Sequence, residues 1–162
     1  PPRSTLSSSS AASDVYKRQT LYSPEGYRSS GPVRANIIHP DYHNSANDQI
    51  ISLAMIETEQ AVENAEAICS TPGLTGIYVG PSDLAISMGE GPGLDRGPGK
   101  VYDAIQHVLT TAKASGIRAG LHCMAPDYIK KMYDCGFDFA SLSNDVRLLT
   151  QVVTSQINAV RS

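Results

Sequence analysis

Glu57 and Asp83 are the acidic residues whose positions suggest chemistry. Each follows a short apolar run, Glu57 after Ile51 to Ile56 and Asp83 after Gly76 to Val79. If those runs are consecutive parallel strands, residues just past their C-terminal ends face one common mouth. Two carboxylates meeting there suit a hard divalent cation such as Mg²⁺ or Mn²⁺, with water and substrate oxygens completing its shell. The competing reading of each is a solvated loop acid, and equivalent placement after two successive runs weighs against it.

A second feature abuts Asp83. In Gly80-Pro81-Ser82-Asp83 a glycine-proline turn stops a strand and starts a helix, which aims the backbone N–H groups of Ser82 and Asp83 at a small anion such as a carboxylate. Ordinary capping of the helix by Ser82 or Asp83 explains the same tetrapeptide, and the residues alone leave both readings open.

The elements that must hold these residues alternate from Ile50 onward. Strands are expected at Ile51 to Ile56, Gly76 to Val79, Ile117 to Cys123 and Phe137 to Leu142. Between them lie helical stripes. Thr58 caps a helix carrying Ala61, Ala65 and Ile68; a Gly- and Pro-rich loop spans Gly89 to Gly99; Val101, Ala104, Ile105, Val108 and Ala112 form a helix closed by Gly116. A further helix runs through Tyr128, Ile129 and Met132 to Gly136, and a last one carries Leu149, Val152, Val153, Ile157 and Val160. Strand-helix alternation predicts an α/β fold with a parallel sheet. Four such units make half of a (β/α)₈ TIM barrel, and no G-x-G-x-x-G follows any strand to support a dinucleotide-binding open sheet.

Composition narrows the function classes. The 162 residues are 41% hydrophobic and 18% charged, enough for one buried core, and a net charge of -3 with scattered Lys and Arg speaks against a nucleic-acid partner. No apolar run nears the roughly 20 residues of a membrane span. Cys69, Cys123 and Cys135 form neither a disulfide framework nor a zinc motif, so a cytoplasmic location is expected. Residues 1–19 are Ser-rich and are expected to be a disordered or foreign low-complexity tail. The chain starts Pro1-Pro2-Arg3, with its first methionine at Met55, and is therefore expected to be a fragment.

Taken together, Ala54-Met55-Ile56-Glu57-Thr58 and Gly76-Ile77-Tyr78-Val79-Gly80-Pro81-Ser82-Asp83-Leu84 resemble the HpcH/HpaI aldolase/citrate lyase family. Upstream, Ser23-Pro24-Glu25-Gly26-Tyr27-Arg28-Ser29 resembles that family's loop after the fourth strand, and the similarity runs from about Leu21 to Val153. The resemblance implies a (β/α)₈ barrel of the phosphoenolpyruvate/pyruvate type, present as roughly its last four β-α units, with residues 20–162 as the C-terminal half of an aldolase domain. It also implies a homo-oligomer, commonly a hexamer. The implied activity is class II aldol cleavage or condensation of 4-hydroxy-2-oxo acids through a pyruvate enolate, with pyruvate and an aldehyde as small-molecule partners. Glu57 and Asp83 match the family's ligands for a divalent metal, Mg²⁺ or Mn²⁺ with Co²⁺ a further option. Gly80, Pro81, Ser82 and Asp83 match its substrate-binding turn, where the Ser82 and Asp83 amides receive the pyruvate carboxylate. A lyase acting on a CoA thioester or another 2-oxo acid is the nearest rival, and a non-catalytic truncated product is the rival outside enzymes.

Two departures qualify the match. Met55 stands where many relatives have Gln two residues before the metal glutamate, and the catalytic His and Arg of the family are expected from an N-terminal half that this chain lacks. Other candidates read more plainly: His122 as a packed or rim residue, His39 and His43 as residues of a mobile loop around Pro40, Arg28 as a solvated loop arginine, and Asp145 as the N-cap of the last helix.

Overall fold

The stripe Val101, Ala104, Ile105, Val108, Leu109 and Ala112 is buried along one face of a helix, Lys100–Ala114. Burying each large aliphatic side chain contributes about 1.5–3 kcal/mol, so Ile105→Ala costs about 2–5 kcal/mol. Asp103 in the first turn and Lys113 in the last complement the helix dipole. The helix stops where expected: Gly116 takes φ +72°, its N–H reaches the Lys113 carbonyl, and the Ile117 N–H reaches the Ala112 carbonyl. Gly136 closes Pro126–Cys135 with the same pair of bonds, Gly136 N–H to Tyr133 and Phe137 N–H to Met132.

The computed structural model describes residues 17–161. Its elements are α1 (residues 17–20), α2 (Val33–Ile38), α3 (Tyr42–Gln49), β1 (Leu53–Ile56), α4 (Glu59–Glu63), α5 (Ala65–Cys69), β2 (Gly76–Val79), α6 (Pro81–Ser87), α7 (Lys100–Ala114), β3 (Arg118–Cys123), α8 (Pro126–Cys135), β4 (Phe139–Leu142) and α9 (Asp145–Arg161). The four strands form one parallel sheet in the order β1-β2-β3-β4. Each is followed by helix, as the alternating pattern predicts. β2 has the bounds expected, whereas β1, β3 and β4 start later than their apolar runs: Ile51 is 71% exposed, and the Ile117 and Phe137 N–H groups are taken by the helix-closing bonds.

Pleating gives the sheet two unlike faces. Ile56, Val79 and Leu121 lie side by side in register and are fully buried, with Ile77 and Ala119 one rung lower on the same face. These residues belong to one cluster with the buried side chains of α5, α6 and α7. The other face carries the rung Met55, Tyr78, Gly120 and Phe139. Among the described residues it is less covered, and Met55 is 51% exposed. A sheet packed by helices on one face only, with strands in sequence order, is a sector of a (β/α)₈ barrel rather than a doubly wound sheet.

Several expectations change in detail. The low-complexity tail expected over residues 1–19 lies outside the described residues up to residue 16, whereas residues 17–20 are helical and Lys17 Nζ donates to the Pro72 carbonyl at 2.7 Å. The single helix expected after Thr58 is two, broken at Asn64, whose side-chain amide donates to the Gln60 carbonyl at 2.7 Å. Around Pro40 there are two short helices instead of a loop, and His43 packs on Tyr22 with ring centroids 4.5 Å apart. Arg28 is held, not solvated: its guanidinium lies over the Tyr22 and Tyr42 rings and donates to the Tyr42 hydroxyl at 3.1 Å. The apolar stripe of α9 forms as helix, yet no residue of α9 is buried among the described residues. No helix there is long and apolar enough to cross a membrane.

Candidate active site at the strand ends

β1 ends at Ile56, and the next residue, Glu57, is fixed from both sides. Thr58 is extended (φ -136°, ψ 152°) and its Oγ1 accepts the Ala61 N–H at 3.1 Å, so the chain turns sharply into α4 just after Glu57. The Gly80 N–H donates to the Ile56 carbonyl at 3.0 Å, carrying the β1–β2 pairing one step past the strands. A Cβ built on Gly80 would sit 3.3 Å from both Cβ and Oε2 of Glu57. The glutamate therefore lies against the bare glycine backbone.

Asp83 enters from α6. Pro81, fully buried, occupies the first turn, where its missing N–H costs nothing, and Leu84 docks the helix into the core. Capping by Ser82 or Asp83, one of the two sequence readings, does not occur: Gly80 holds the cap position and no side chain caps the helix. Proline at the first helical position sets the cap one residue earlier. The Asp83 carboxylate is thus free of capping duty, and the N–H groups of Ser82 and Asp83 belong to the first turn, where no intrahelical acceptor exists.

Glu57, Gly80, Ser82 and Asp83 line one pocket together with Met55. Neither carboxylate has a hydrogen bond or ion pair to any described residue. No group of three or more His, Cys, Asp or Glu residues that could hold a metal occurs among the described residues. Two unpaired carboxylates in one pocket fit a hard cation whose remaining ligands are water and substrate oxygens. They do not fit a zinc-type site, which takes three or four protein ligands.

The opposite wall was not expected. His122 and Tyr78 line the same pocket, as do Met124, Asn144 and Arg147. His122 Nδ1 is 2.5 Å from Ser141 Oγ and 3.1 Å from the Tyr78 hydroxyl, and these two hydroxyls are hydrogen-bonded to each other. The Phe139 ring stacks on Tyr78 (5.9 Å, 15°) by crossing Gly120, where a Cβ would meet ring carbons at 2.1 Å. Only glycine permits that crossing. Strand alternation carries the signal for this cluster, since Tyr78, Gly120 and His122 fall on the face opposite Val79 and Leu121. Ser141 pairs with His122 in register, which one strand alone does not announce. Asn144, not Asp145, caps α9: its Oδ1 accepts the Arg147 N–H at 2.9 Å.

The loop after α6 supplies a third wall through Pro92, Gly93 and Leu94. Asp95 pins it to the end of β3, with Oδ1 accepting the Met124 N–H at 2.8 Å and Oδ2 the Ala125 N–H at 2.9 Å. Within the loop Arg96 pairs with Glu90 at 3.3 Å and donates to the carbonyls of Gly91 and Gly93. Cys123 ends β3 nearby, but burial, with a smaller push from Asp95, raises its thiol to about 12. It is no nucleophile at neutral pH.

Comparison with known proteins agrees with this architecture. The sequence profile of the HpcH/HpaI aldolase/citrate lyase family matches residues 8–151. A hydroxypyruvate/pyruvate aldolase of Rhizorhabdus wittichii is 35% identical over 142 residues, covering 87% of this chain and 57% of that protein. A 5-keto-4-deoxy-D-glucarate aldolase of Enterobacter sp. is 38% identical over 130 residues, covering 78% and 50%. The crystal structure of an HpcH/HpaI aldolase/citrate lyase family protein from Burkholderia cenocepacia superposes with a TM-score of 0.76 at 30% identity, covering 94% of this chain and 60% of that one. The chain spans just over half the length of such relatives.

Proposed function

The chain belongs to the HpcH/HpaI aldolase/citrate lyase family, and from that premise we propose that it carries the metal and 2-oxo-acid side of a pyruvate-aldolase site. The observation that carries this reading is the pair of unpaired carboxylates, Glu57 and Asp83, lining one pocket beside a helix start. In this reading Glu57 and Asp83 hold Mg²⁺ or Mn²⁺, which when bound supplies positive charge to the oxygens of a 2-oxo acid and so favours enolate formation.

The chain's own groups do the rest on this side. The N–H groups of Ser82 and Asp83 receive the substrate carboxylate, Pro81 keeps that turn rigid, and Gly80 leaves room for Glu57. Met55 offers no hydrogen bond, so the shell around Glu57 relies on water where a glutamine would have bonded directly. The substrates that suit this arrangement are pyruvate or a hydroxylated pyruvate as donor and an aldehyde as acceptor, joined as a 4-hydroxy-2-oxo acid.

The test follows hydrogen exchange into the pyruvate methyl group in D₂O by NMR, with and without Mn²⁺. Metal-dependent exchange is expected once the chain is joined to the N-terminal half to which the family resemblance assigns the proton-transferring His and Arg, and it should fall by about 100-fold or more when Glu57→Gln and Asp83→Asn are introduced into that protein. Exchange that survives the double substitution overturns the assignment.

A further inference from the structure

The cluster of Tyr78, His122 and Ser141 lies on the open face of the sheet and has no part in the metal side of the site. We propose that it is a second subsite, in which two hydroxyls fix the His122 imidazole so that Nε2–H hydrogen-bonds a hydroxyl group on the acceptor substrate. This rests on the pocket being the site proposed above.

Proton counting sets the tautomer. Ser141 Oγ is within hydrogen-bond distance of both Nδ1 and the Tyr78 hydroxyl, and the cluster holds two hydroxyl protons. With Nδ1 as acceptor, Tyr78 O–H donates to Ser141 Oγ and Ser141 O–H donates to Nδ1, so both protons are used. A proton on Nδ1 would leave one hydroxyl proton without an acceptor, since no other bond of these side chains exists among the described residues. Partial burial makes that arrangement costly. The neutral ring therefore carries its proton on Nε2, which has no partner among the described residues while His122 lines the pocket. The Phe139 ring, stacked on Tyr78, keeps the phenol from swinging away.

Position selects the substrate atom. Glu57 follows β1, and His122 is on β3, two strands across the sheet. At about 4.8 Å per strand, β3 lies roughly 10 Å from the strand that Glu57 follows and about 5 Å from β2, which Asp83 follows, so His122 flanks the metal side within reach of a substituent on the acceptor. A neutral donor discriminates a hydroxyl from a methyl, because an unpaired Nε2–H is left behind when the hydroxyl is absent. His122 thus acts as a specificity-determining residue, with Tyr78 and Ser141 positioning it.

The experiment is imidazole NMR on the chain labelled with ¹⁵N-histidine, at about pH 8, where an ordinary imidazole is neutral. The resonances are assigned with His122→Gln. The Nε2–H tautomer should be more populated than in a free histidine side chain, and Tyr78→Phe with Ser141→Ala should bring it back to the free side chain's ratio, a change that a merely structural contact would not produce. Glycolaldehyde should move the His122 signals, whereas propionaldehyde, which places a methyl where the hydroxyl stood, should not. An Nδ1–H tautomer, tautomer populations unchanged in the double variant, or equal responses to the two aldehydes each overturn the subsite. Hydrogen exchange into pyruvate separates the two readings: its absence with the glycolaldehyde response intact sinks only the metal side, and its presence without that response sinks only the subsite.

Discussion

Glu57 leans on Gly80 across the ends of β1 and β2, with its Oε2 only 3.3 Å from the point a Cβ of residue 80 would occupy. The contact couples the backbone of the turn proposed to receive substrate to a carboxylate proposed to hold the metal. Gly80 has φ -101°, which any residue can adopt, so an alanine there acts through space and not through backbone strain. Gly80→Ala should weaken Mn²⁺ binding by about tenfold while changing stability by less than about 1 kcal/mol, because a small displacement of one ligand tells on the ion more than on the core. Parallel metal titration and urea unfolding of the variant measure both quantities.

Asp95 is the tie between the pocket loop and the end of β3. Asp95→Ala leaves the Met124 and Ala125 N–H groups without an acceptor and should cost about 1–3 kcal/mol. Amide hydrogen exchange at Met124 and Ala125 should accelerate, with little change at Leu121 in the middle of the strand.

The Asp138 carboxyl accepts from Lys113 Nζ at 2.6 Å, Arg118 Nη1 at 2.8 Å and the Ala119 N–H at 2.8 Å. Burial alone would raise it, but these bonds outweigh burial and hold it at about 2, below its ordinary 3.8. A folded-state value below the unfolded one means stability that is complete above about pH 4 and is lost as pH falls toward 2. Asp138→Asn should flatten that acid limb and lower stability at neutral pH by about 1 kcal/mol, since both cationic partners reach solvent. Urea midpoints at neutral and acid pH give the comparison.

Ser143 sits at φ +52° just after β4, with its N–H bonded to the Cys123 carbonyl at 2.7 Å. Ser143→Gly should stabilise the fold by about 0.5–1 kcal/mol, because glycine adopts that region without a steric penalty and keeps the N–H. Thermal unfolding would register the gain.

Strand positions were legible because Ile56, Val79 and Leu121 each need burial and recur at one point of each β-α unit. The helix ends at Gly116 and Gly136 were legible for a local reason, the left-handed residue that closes each helix. What escaped depended on neighbours in space or on competition between adjacent residues. Capping by Ser82 or Asp83 stayed open in the sequence and is decided by Pro81, which takes the first turn, and the cap expected at Asp145 falls to Asn144 one residue earlier. His122 looked ordinary within its strand. Its meaning comes from Tyr78 on β2 and Ser141 on β4, 44 and 19 residues away in sequence. Glu57 and Asp83 were visible as a pair, since both follow strands that the apolar runs mark, and the pocket they line holds them without partners.

The most direct test of that pair is Mn²⁺ titration of the chain followed by electron paramagnetic resonance of the free ion. The account predicts one saturable site per chain, strengthened by pyruvate and weakened by about 100-fold in Glu57→Gln, Asp83→Asn, with His122→Gln leaving the affinity unchanged. Equal Mn²⁺ affinity in the unaltered chain and the double variant would contradict it.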